Sequence, residues 1–134
     1  MASAVVLDAT GRHVLLVRQP TQPRWGLVSG HVEGGEPAGE SARRHVREQT
    51  GLSRFQVVHP HLAVQQDLLD CGDVQALHVD HIFAVRVDPS EVVVEGPLDP
   101  SGEAVWFPVR QLPEPLAPGV RGHVLAALRG TDER

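Results

Sequence analysis

The segment that most constrains the fold is Gly30–Leu52, GHVEGGEPAGESARRHVREQTGL. Its glycine-rich first half is typical of a turn, and Pro37 follows where a first helical residue tolerates proline. Small or apolar residues then recur every four positions, namely Ala38, Ala42 and Val46. Gly51 is a natural helix stop because glycine readily adopts the left-handed conformation. The spacing predicts a helix from about Pro37 to Thr50 that packs through this one side.

Apolar runs elsewhere in the chain predict strands on both sides of this helix. The N-terminal SAVVLDATGRHVLLVRQ has two such runs around a short turn, which predicts a β-hairpin. WGLVSG predicts a short strand, and FQVVHPHLAVQQDLL and VQALHVDHIFAVRV predict two long ones. Shorter strands are expected at EVVVEG and AVWFPV, and GVRGHVLAALRG has the spacing of a second amphipathic helix. This order predicts an α+β or three-layer fold on a mixed sheet.

Length and composition limit the classes of protein to consider. The 134 residues are enough for one domain over 1–134 with its own core. The net charge of −5 gives no basic field for nucleic acid, and the 4% of aromatic residues argues against a base-stacking surface. The single cysteine, Cys71, excludes an internal disulfide and suits a reducing cytosol. Because no apolar run approaches the ~20 residues of a membrane span, we expect a cytoplasmic protein.

The spacing within Gly30–Leu52 resembles the Nudix box, G-x5-E-x7-R-E-U-x-E-E-x-G-U, in which U is a bulky aliphatic residue. Seven of the nine specified positions match, and these are Gly30, Glu36, Arg44, Val46, Glu48, Gly51 and Leu52. The flanking VLLVRQ, WGLVSG and EAVWFPVRQLPEPLAP also look like the small single-domain members. The resemblance covers nearly the whole chain. It implies a Nudix-like α/β/α sandwich, with the box loop and helix on a mixed sheet and a helix at the C-terminus.

Nudix enzymes characteristically hydrolyse a nucleoside diphosphate linked to another group, X, with Mg²⁺ or Mn²⁺. Divalent cations neutralise the diphosphate and orient the attacking water, and hard cations prefer oxygen ligands. The resemblance implies that Glu48 is a metal ligand and that Glu36 and Arg44 brace the loop against the helix. The structural positions of the box are then Gly30, Glu36, Arg44 and Gly51.

Two departures from the box fall on functional positions, since His45 and Gln49 stand where the family has glutamate. With Glu48 these residues are helix neighbours, at i, i+3 and i+4. An amide oxygen brings no charge to Mg²⁺, and imidazole suits transition metals better. We therefore expect a weakened or altered cation site with His45, Glu48 and Gln49 as ligands, for Mg²⁺ or Mn²⁺ or for a transition metal bound through His45. The expected catalytic residues are Arg44, His45 and Glu48.

Groups outside the box are candidates to replace the two missing carboxylates. Three acidic residues precede the AVWFPV strand, Glu95, Asp99 and Glu103. Because side chains alternate along a strand, His78 and Asp80 share one face and His81 takes the other. His59 and His61 share a face unless the proline between them bends the strand. One or two of these histidines could join His45 and Glu48 in a metal site, which has two histidines and one carboxylate when one joins.

Substrate contacts are expected at Trp25, Arg47 and His81. Trp25 precedes the box and could border a base or sugar, the alternative being a place in the core. Arg47 could meet phosphates, the alternative being a solvated helix face. His13 and His123 are expected at the solvent surface.

Three functions are compatible with this pattern, because function depends on the site rather than on the fold. The first is a Nudix-type hydrolase cleaving a diphosphate bond in a nucleoside diphosphate linked to X or in a similar phosphorylated molecule. The second is a non-hydrolytic Nudix-fold protein that binds a nucleotide. The third is a Nudix-derived biosynthetic enzyme with a His-containing metal site. The expected partner is a small phosphorylated substrate, with no nucleic acid and no membrane, and a homodimer is compatible with the resemblance.

Overall fold

The computed structural model describes residues 1–18, 23–71, 74–91 and 104–132. These ranges hold six strands and two helices. The strands are β1 (Ala2–Leu7), β2 (His13–Val17), β3 (Val28–Gly30), β4 (Phe55–Cys71), β5 (Val74–Val87) and β6 (Ala104–Pro108). The helices are α1 (Ala38–Thr50) and α2 (Val120–Asp132). Within these ranges no helix is long and apolar enough to cross a membrane.

The six strands form one mixed sheet in the order β4-β5-β1-β2-β6, with β3 also paired to β1. The central strand β1 runs parallel to β5 and antiparallel to β2 and β3. Its first half pairs with β3 and its second half with β2. The two shorter strands therefore share one edge of β1. β1 is buried along its whole length, as expected for a strand that is covered on both faces.

The two helices cover opposite faces of this sheet. Ala4 and Val6 of β1 lie in one apolar cluster with Val46 of α1. Val5, the residue between them, lies in another cluster with Val124 of α2. Burial of apolar side chains on both faces is the main source of stability in such a layered fold. The predicted α+β architecture, three layers on a mixed sheet, is confirmed.

The predicted elements agree with the observed ones to within a few residues. α1 begins after Pro37, which has an extended conformation (φ −62°, ψ 144°) and is the N-cap. Gly51 ends the helix with a left-handed φ of 76°, and its N–H donates to the Arg47 carbonyl at 3.0 Å. The EVVVEG segment from its second residue on, and the acidic residues Glu95, Asp99 and Glu103, lie outside the described residues.

The turn between β1 and β2 is closed by Asp8. Its carboxylate accepts hydrogen bonds from Thr10 Oγ1 at 2.8 Å and from the N–H groups of Arg12 and His13 at 2.9 and 3.1 Å. His13 Nδ1 lies 3.1 Å from the same carboxylate. Burial raises the pKa of Asp8, but these hydrogen bonds hold it below its ordinary value. The expectation of a solvent-exposed His13 is wrong, because the ring is half-buried against Asp8.

Candidate functional site

Arg44 ties the box loop to α1. Its Nε and Nη2 donate to the Glu36 carboxylate at 3.0 and 3.1 Å, the bidentate geometry of a strong ion pair. The hydrogen bonds from Arg44 lower the pKa of Glu36 to about 2, and those to Glu36 raise the pKa of Arg44 above its ordinary value. Glu36 Oε1 also accepts from the Glu33 N–H at 3.2 Å. The pair therefore fixes both the loop and its junction with the helix.

The carbonyl oxygen of His31 is a meeting point for three side chains of α1. Ser41 Oγ and Arg44 Nη2 each donate to it at 3.2 Å, and His45 Nε2 lies 2.9 Å away. Because a carbonyl can only accept, His45 Nε2 carries a proton in this contact. Ser41, which was not singled out in the sequence, is fully buried. Its position three residues after Ala38 was the available signal, because such neighbours share one side of a helix.

His45 is turned into the protein, with 7% of the residue exposed. Its ring lies directly against Gly30: a Cβ at that position would collide with Cε1, Nε2 and Nδ1 of the imidazole. Only glycine therefore leaves room for this ring. The structure places His45 against β3 and the loop that follows, rather than beside Glu48.

Gln49 points in the same direction one turn later. Its Nε2 donates to the Ser29 carbonyl at 2.7 Å. An ionised glutamate has no proton to donate, so it could not make this bond or the one from His45. Both departures from the box thus exchange a hydrogen-bond acceptor for a donor that binds the backbone of β3 or of the loop after it.

Glu48 is the carboxylate that stays accessible on the outer side of α1. Its side chain is 57% exposed, and Oε1 lies 3.4 Å from Arg44 Nη1, one turn earlier in the helix. An exposed pair of this kind is weak because water screens it. Glu48 therefore lies near Arg44 and the Glu36 loop but stays open to solvent.

The described residues do not form a cation site by themselves. Within the four described ranges, no group of three or more His, Cys, Asp or Glu side chains could hold a metal ion. Glu48 supplies one carboxylate and Gln49 an uncharged amide oxygen, while His45 Nε2 is engaged with the His31 carbonyl. Mg²⁺ and Ca²⁺ require several oxygen ligands, so this donor set does not fit a cation held by the protein alone. The three ligands expected from the helix spacing are not brought to one point, because two of them bind backbone carbonyls.

Trp25 lies in the core on the α2 face of the sheet. It is 3% exposed, and its ring packs edge-on against Phe107 with centroids 4.9 Å apart. The Arg18 guanidinium lies 4.6 Å from the ring centroid, a cation–π distance. Trp25 therefore takes the core position that was the alternative to a substrate contact. Because almost none of the ring is exposed, little of its surface is available for the expected contact with a base or sugar.

Arg47 and His81 lie at the surface. Arg47 Cζ is 5.6 Å from the centroid of the Phe55 ring. His81 is exposed, whereas Asp80 before it is half-buried on the other side of β5. Substrate contacts by Arg47 and His81 stay predictions.

The histidines of the long strands contribute no described metal site. The β4–β5 register shifts on both sides of His59, as expected beside a proline that cannot donate to the ladder. His59 Nδ1 is buried and has no hydrogen-bond partner in the described part of the chain. The side chains of His61 and His78 lie outside the described residues. A metal site that includes these histidines stays a prediction.

A polar cluster that the sequence analysis missed lies on the α2 face. Ser3 Oγ is 2.8 Å from each carboxylate oxygen of Asp80. His123 of α2 lines the same cavity of about 170 Å³, which extends to Ser29. Burial lowers the pKa of His123, and the charge of Asp80 offsets part of this effect. His123, expected at the solvent surface, is partly buried in this cavity. The signal for the cluster was a polar residue interrupting each of two apolar strands.

Of the two comparisons made with the amino-acid sequence, one gives a match. A family model described as NUDIX domain matches residues 1–128. No curated protein sequence matches the chain.

Several solved structures share the fold. A UDP-X diphosphatase has a TM-score of 0.67 and 18% identity; the match covers 98% of this chain and only 61% of that one. A MutT NUDIX hydrolase from Burkholderia pseudomallei has a TM-score of 0.59 and 24% identity, covering 94% and 98%. An E. coli dihydroneopterin triphosphate pyrophosphohydrolase has a TM-score of 0.66 and 16% identity, covering 92% and 90%. At these identities the likeness establishes the fold and not the substrate.

Proposed function

The chain belongs to the Nudix family, and on that premise we propose that it hydrolyses a diphosphate bond in a nucleoside diphosphate linked to X or in a similar phosphorylated small molecule. The observation that carries the proposal is Glu48, an accessible carboxylate that lies next to Arg44 and the loop braced by Glu36. Nudix hydrolases act on phosphorylated small molecules, generally with Mg²⁺ or Mn²⁺. Solved structures named for a UDP-X diphosphatase and a dihydroneopterin triphosphate pyrophosphohydrolase share the fold, so the proposed reaction is one that this fold is able to carry. From the sequence we also propose a cytoplasmic location.

The residues of this chain have distinct parts in the proposed reaction. The Glu48 carboxylate can accept a proton from water or supply an oxygen ligand. Arg47, exposed in the last turn of α1, offers positive charge to phosphate oxygens. A cavity of about 370 Å³ beside β3 is lined in part by Arg24, Leu27 and Ser29 but by no residue of α1. Arg44 acts through its position between Glu36 and Glu48.

The cation requirement follows from the donor set. Because Glu48 is the one carboxylate left among the three box positions, we expect Mg²⁺ and Mn²⁺ to bind the free protein weakly. Their binding should be tighter when a diphosphate is present, since its oxygens are themselves ligands. Calorimetric titration of the free protein with each metal tests this expectation. A submillimolar site in the free protein contradicts it, and a copurifying transition metal that is lost in His45→Ala would assign that site to His45.

The activity is tested by following formation of the nucleoside monophosphate from a panel of nucleoside diphosphates linked to sugars, alcohols or a second nucleotide, with Mg²⁺ and Mn²⁺. Glu48→Gln should lower kcat by roughly 100-fold or more, the usual effect of removing a catalytic proton acceptor. Glu40→Gln is the matched control, because Glu40 is an exposed carboxylate in the first turn of the same helix. Absence of turnover by the unmodified protein with either metal rejects the hydrolase proposal.

A nucleotide-binding protein without hydrolysis is the second candidate. The observation that favours it is the use of His45 and Gln49 as donors to the backbone instead of as cation ligands. Replacing both with glutamate should lower the melting temperature without metal, because carboxylates then face the carbonyls of His31 and Ser29. If the protein is a weakened hydrolase, Mg²⁺ should restore stability and raise activity. A ligand that stabilises the unmodified protein, with no turnover in either form, favours the binding protein.

A further inference from the structure

A cavity of about 480 Å³ lies at one end of the sheet, outside the box. Its wall is built by the chain after β1, the start of β4 and the end of β5. Charged residues on the wall are Arg54, Arg86 and Asp88. No residue of Gly30–Leu52 lines it, and its volume is that of a small-molecule site.

Arg86 is the unusual residue of this wall, because it lies on a sheet face that α2 covers. In β5 it pairs with Leu7 and Gln56, and strand alternation puts it on the same face as the buried Ala84. The Arg86 guanidinium lies under the β1–β2 turn, where a Cβ on Gly11 would be 3.4 Å from Nη2. The turn therefore lies within van der Waals reach of the arginine side chain.

The guanidinium of Arg86 lacks a counter-ion in the described part of the chain. Its Nε is buried with no hydrogen-bond partner, and none of the ion pairs among the described residues includes it. Arg86 as a whole is only half-buried and lines the cavity, so water still reaches part of the side chain. Its buried Nε donor has no acceptor among the described residues, which is costly, and an oxyanion in the cavity would supply one. An arginine held in this way is ready to bind an oxyanion.

The nearby carboxylates each accept hydrogen bonds from groups other than Arg86. Asp8 follows Leu7, the β1 partner of Arg86, and its oxygens are occupied by Thr10, Arg12 and His13. Asp88 Oδ1 accepts from the Ser90 N–H at 2.9 Å. The hydrogen bonds from Ser90 hold the pKa of Asp88 below its ordinary value, with a smaller contribution from the charge of Arg54. With two arginines and one aspartate, the charged groups of the wall sum to one positive charge.

We propose that this cavity is a second ligand site, which binds the oxyanion of a small molecule through Arg86, with Arg54 at its rim. Guanidinium groups match the paired oxygens of phosphates and carboxylates, and the site needs no metal. It does not depend on hydrolysis at the box, because the two regions share no lining residue. The two sources of oxyanion, a phosphate group and a carboxylate, are separated by the choice of probe.

The test is an NMR titration of the intact protein with inorganic phosphate and, separately, with succinate, at constant ionic strength balanced with NaCl. Saturable shifts should appear at the backbone amides of Gln56 and Val87, and the probe with the lower Kd identifies the oxyanion. Arg86→Met should weaken binding about tenfold or more, in keeping with the loss of a charged hydrogen-bonding group. Arg121→Met, which removes an exposed charge on α2, should leave the Kd unchanged.

Two results overturn the proposal. One is the absence of saturable shifts with both probes in the unmodified protein, and the other is equal binding by Arg86→Met and Arg121→Met. If Arg86→Met does not fold, Arg86→Lys takes its place; it keeps the charge but not the paired donors, so a weaker Kd is again expected and an unchanged one counts against the site. Arg54→Gln should weaken binding less than either Arg86 variant.

Discussion

At the scale of single residues, the site is organised by charges and donors that meet within one turn of α1. Arg44 joins Glu36 to Glu48, and three side chains converge on the carbonyl of His31. The helix period alone predicts that positions 45, 48 and 49 are neighbours. It cannot predict that His45 and Gln49 turn to β3, because their partners lie 14 and 20 residues earlier in the chain.

The Glu36–Arg44 pair makes the stability of the protein depend on pH. Because the pKa of Glu36 is lowered from 4.5 to about 2 in the folded protein, the pair stabilises fully above pH 4.5 and its contribution is lost as the pH falls towards 2. Glu36→Gln should be less stable at neutral pH and should lose less stability across this window. Urea unfolding at several pH values measures the difference, with Glu40→Gln as control. Parallel pH profiles for Glu36→Gln and the unmodified protein would contradict the assignment.

Gly30 and His45 should be energetically coupled. Gly30→Ala forces the imidazole away from the His31 carbonyl, and overpacking of this kind costs about 1–3 kcal/mol of unfolding free energy. In a His45→Ala background the same substitution should cost much less, which a double-mutant cycle measures. Gly39→Ala is the control, since its Cβ would meet only Phe83 at an ordinary 3.7 Å. If the losses of unfolding free energy from Gly30→Ala and His45→Ala simply add, the two positions are not coupled and the imidazole ring moves away from the new methyl group at no cost.

At the scale of elements, the ends of α1 follow from local chemistry. Pro37 and Gly51 mark its two ends in the sequence, and the structure places the helix between them. The short strand β3 was also predicted, although its pairing with β1 depends on residues far apart in the chain. Boundaries encoded by a cap can be predicted from nearby residues, whereas strand partners require the whole sheet.

Gly51→Ala tests the helix cap. The backbone at Gly51 is left-handed, with φ 76°, and nothing lies within 4 Å of the added methyl group. The expected loss of about 1–2 kcal/mol of unfolding free energy therefore comes from backbone strain alone. Gly34→Ala, also in open space but without a left-handed φ, should change stability little. Thermal unfolding gives the unfolding free energy of the two variants at one temperature. Equal losses of unfolding free energy in both would contradict the cap argument.

At the scale of the whole molecule, the sheet couples two apolar cores. Trp25 belongs to the cluster on the α2 face and Trp106 to the cluster on the α1 face. The three-layer fold was predictable because apolar periodicity marks both helices and most strands. The parallel pairing of β1 with β5 was not, since periodicity carries no information about strand direction. Arg86 was missed for the same reason: its place under the β1–β2 turn follows from that pairing.

The two tryptophans offer a test of cooperativity. Trp25→Phe leaves Trp106 as the reporter, and Trp106→Phe leaves Trp25. Because β1 contributes side chains to both cores, each variant should show one denaturant transition whose fluorescence midpoint coincides with that from circular dichroism. A fluorescence midpoint that differs from the circular dichroism midpoint of the same variant would indicate that the two faces unfold separately.

The register of β1 against β5 also affects the order in which the protein can form. Ala2 pairs with His81 and Leu7 with Arg86, so the central pairing of the sheet joins the beginning of the chain to residues made much later. Closing so long a loop costs conformational entropy before the stabilising contacts form, and such pairings therefore slow folding. Ala42 of α1 packs against both Ala2 and Phe83. During synthesis, therefore, the helix that carries Glu48 cannot reach its final packing until β5 has left the ribosome.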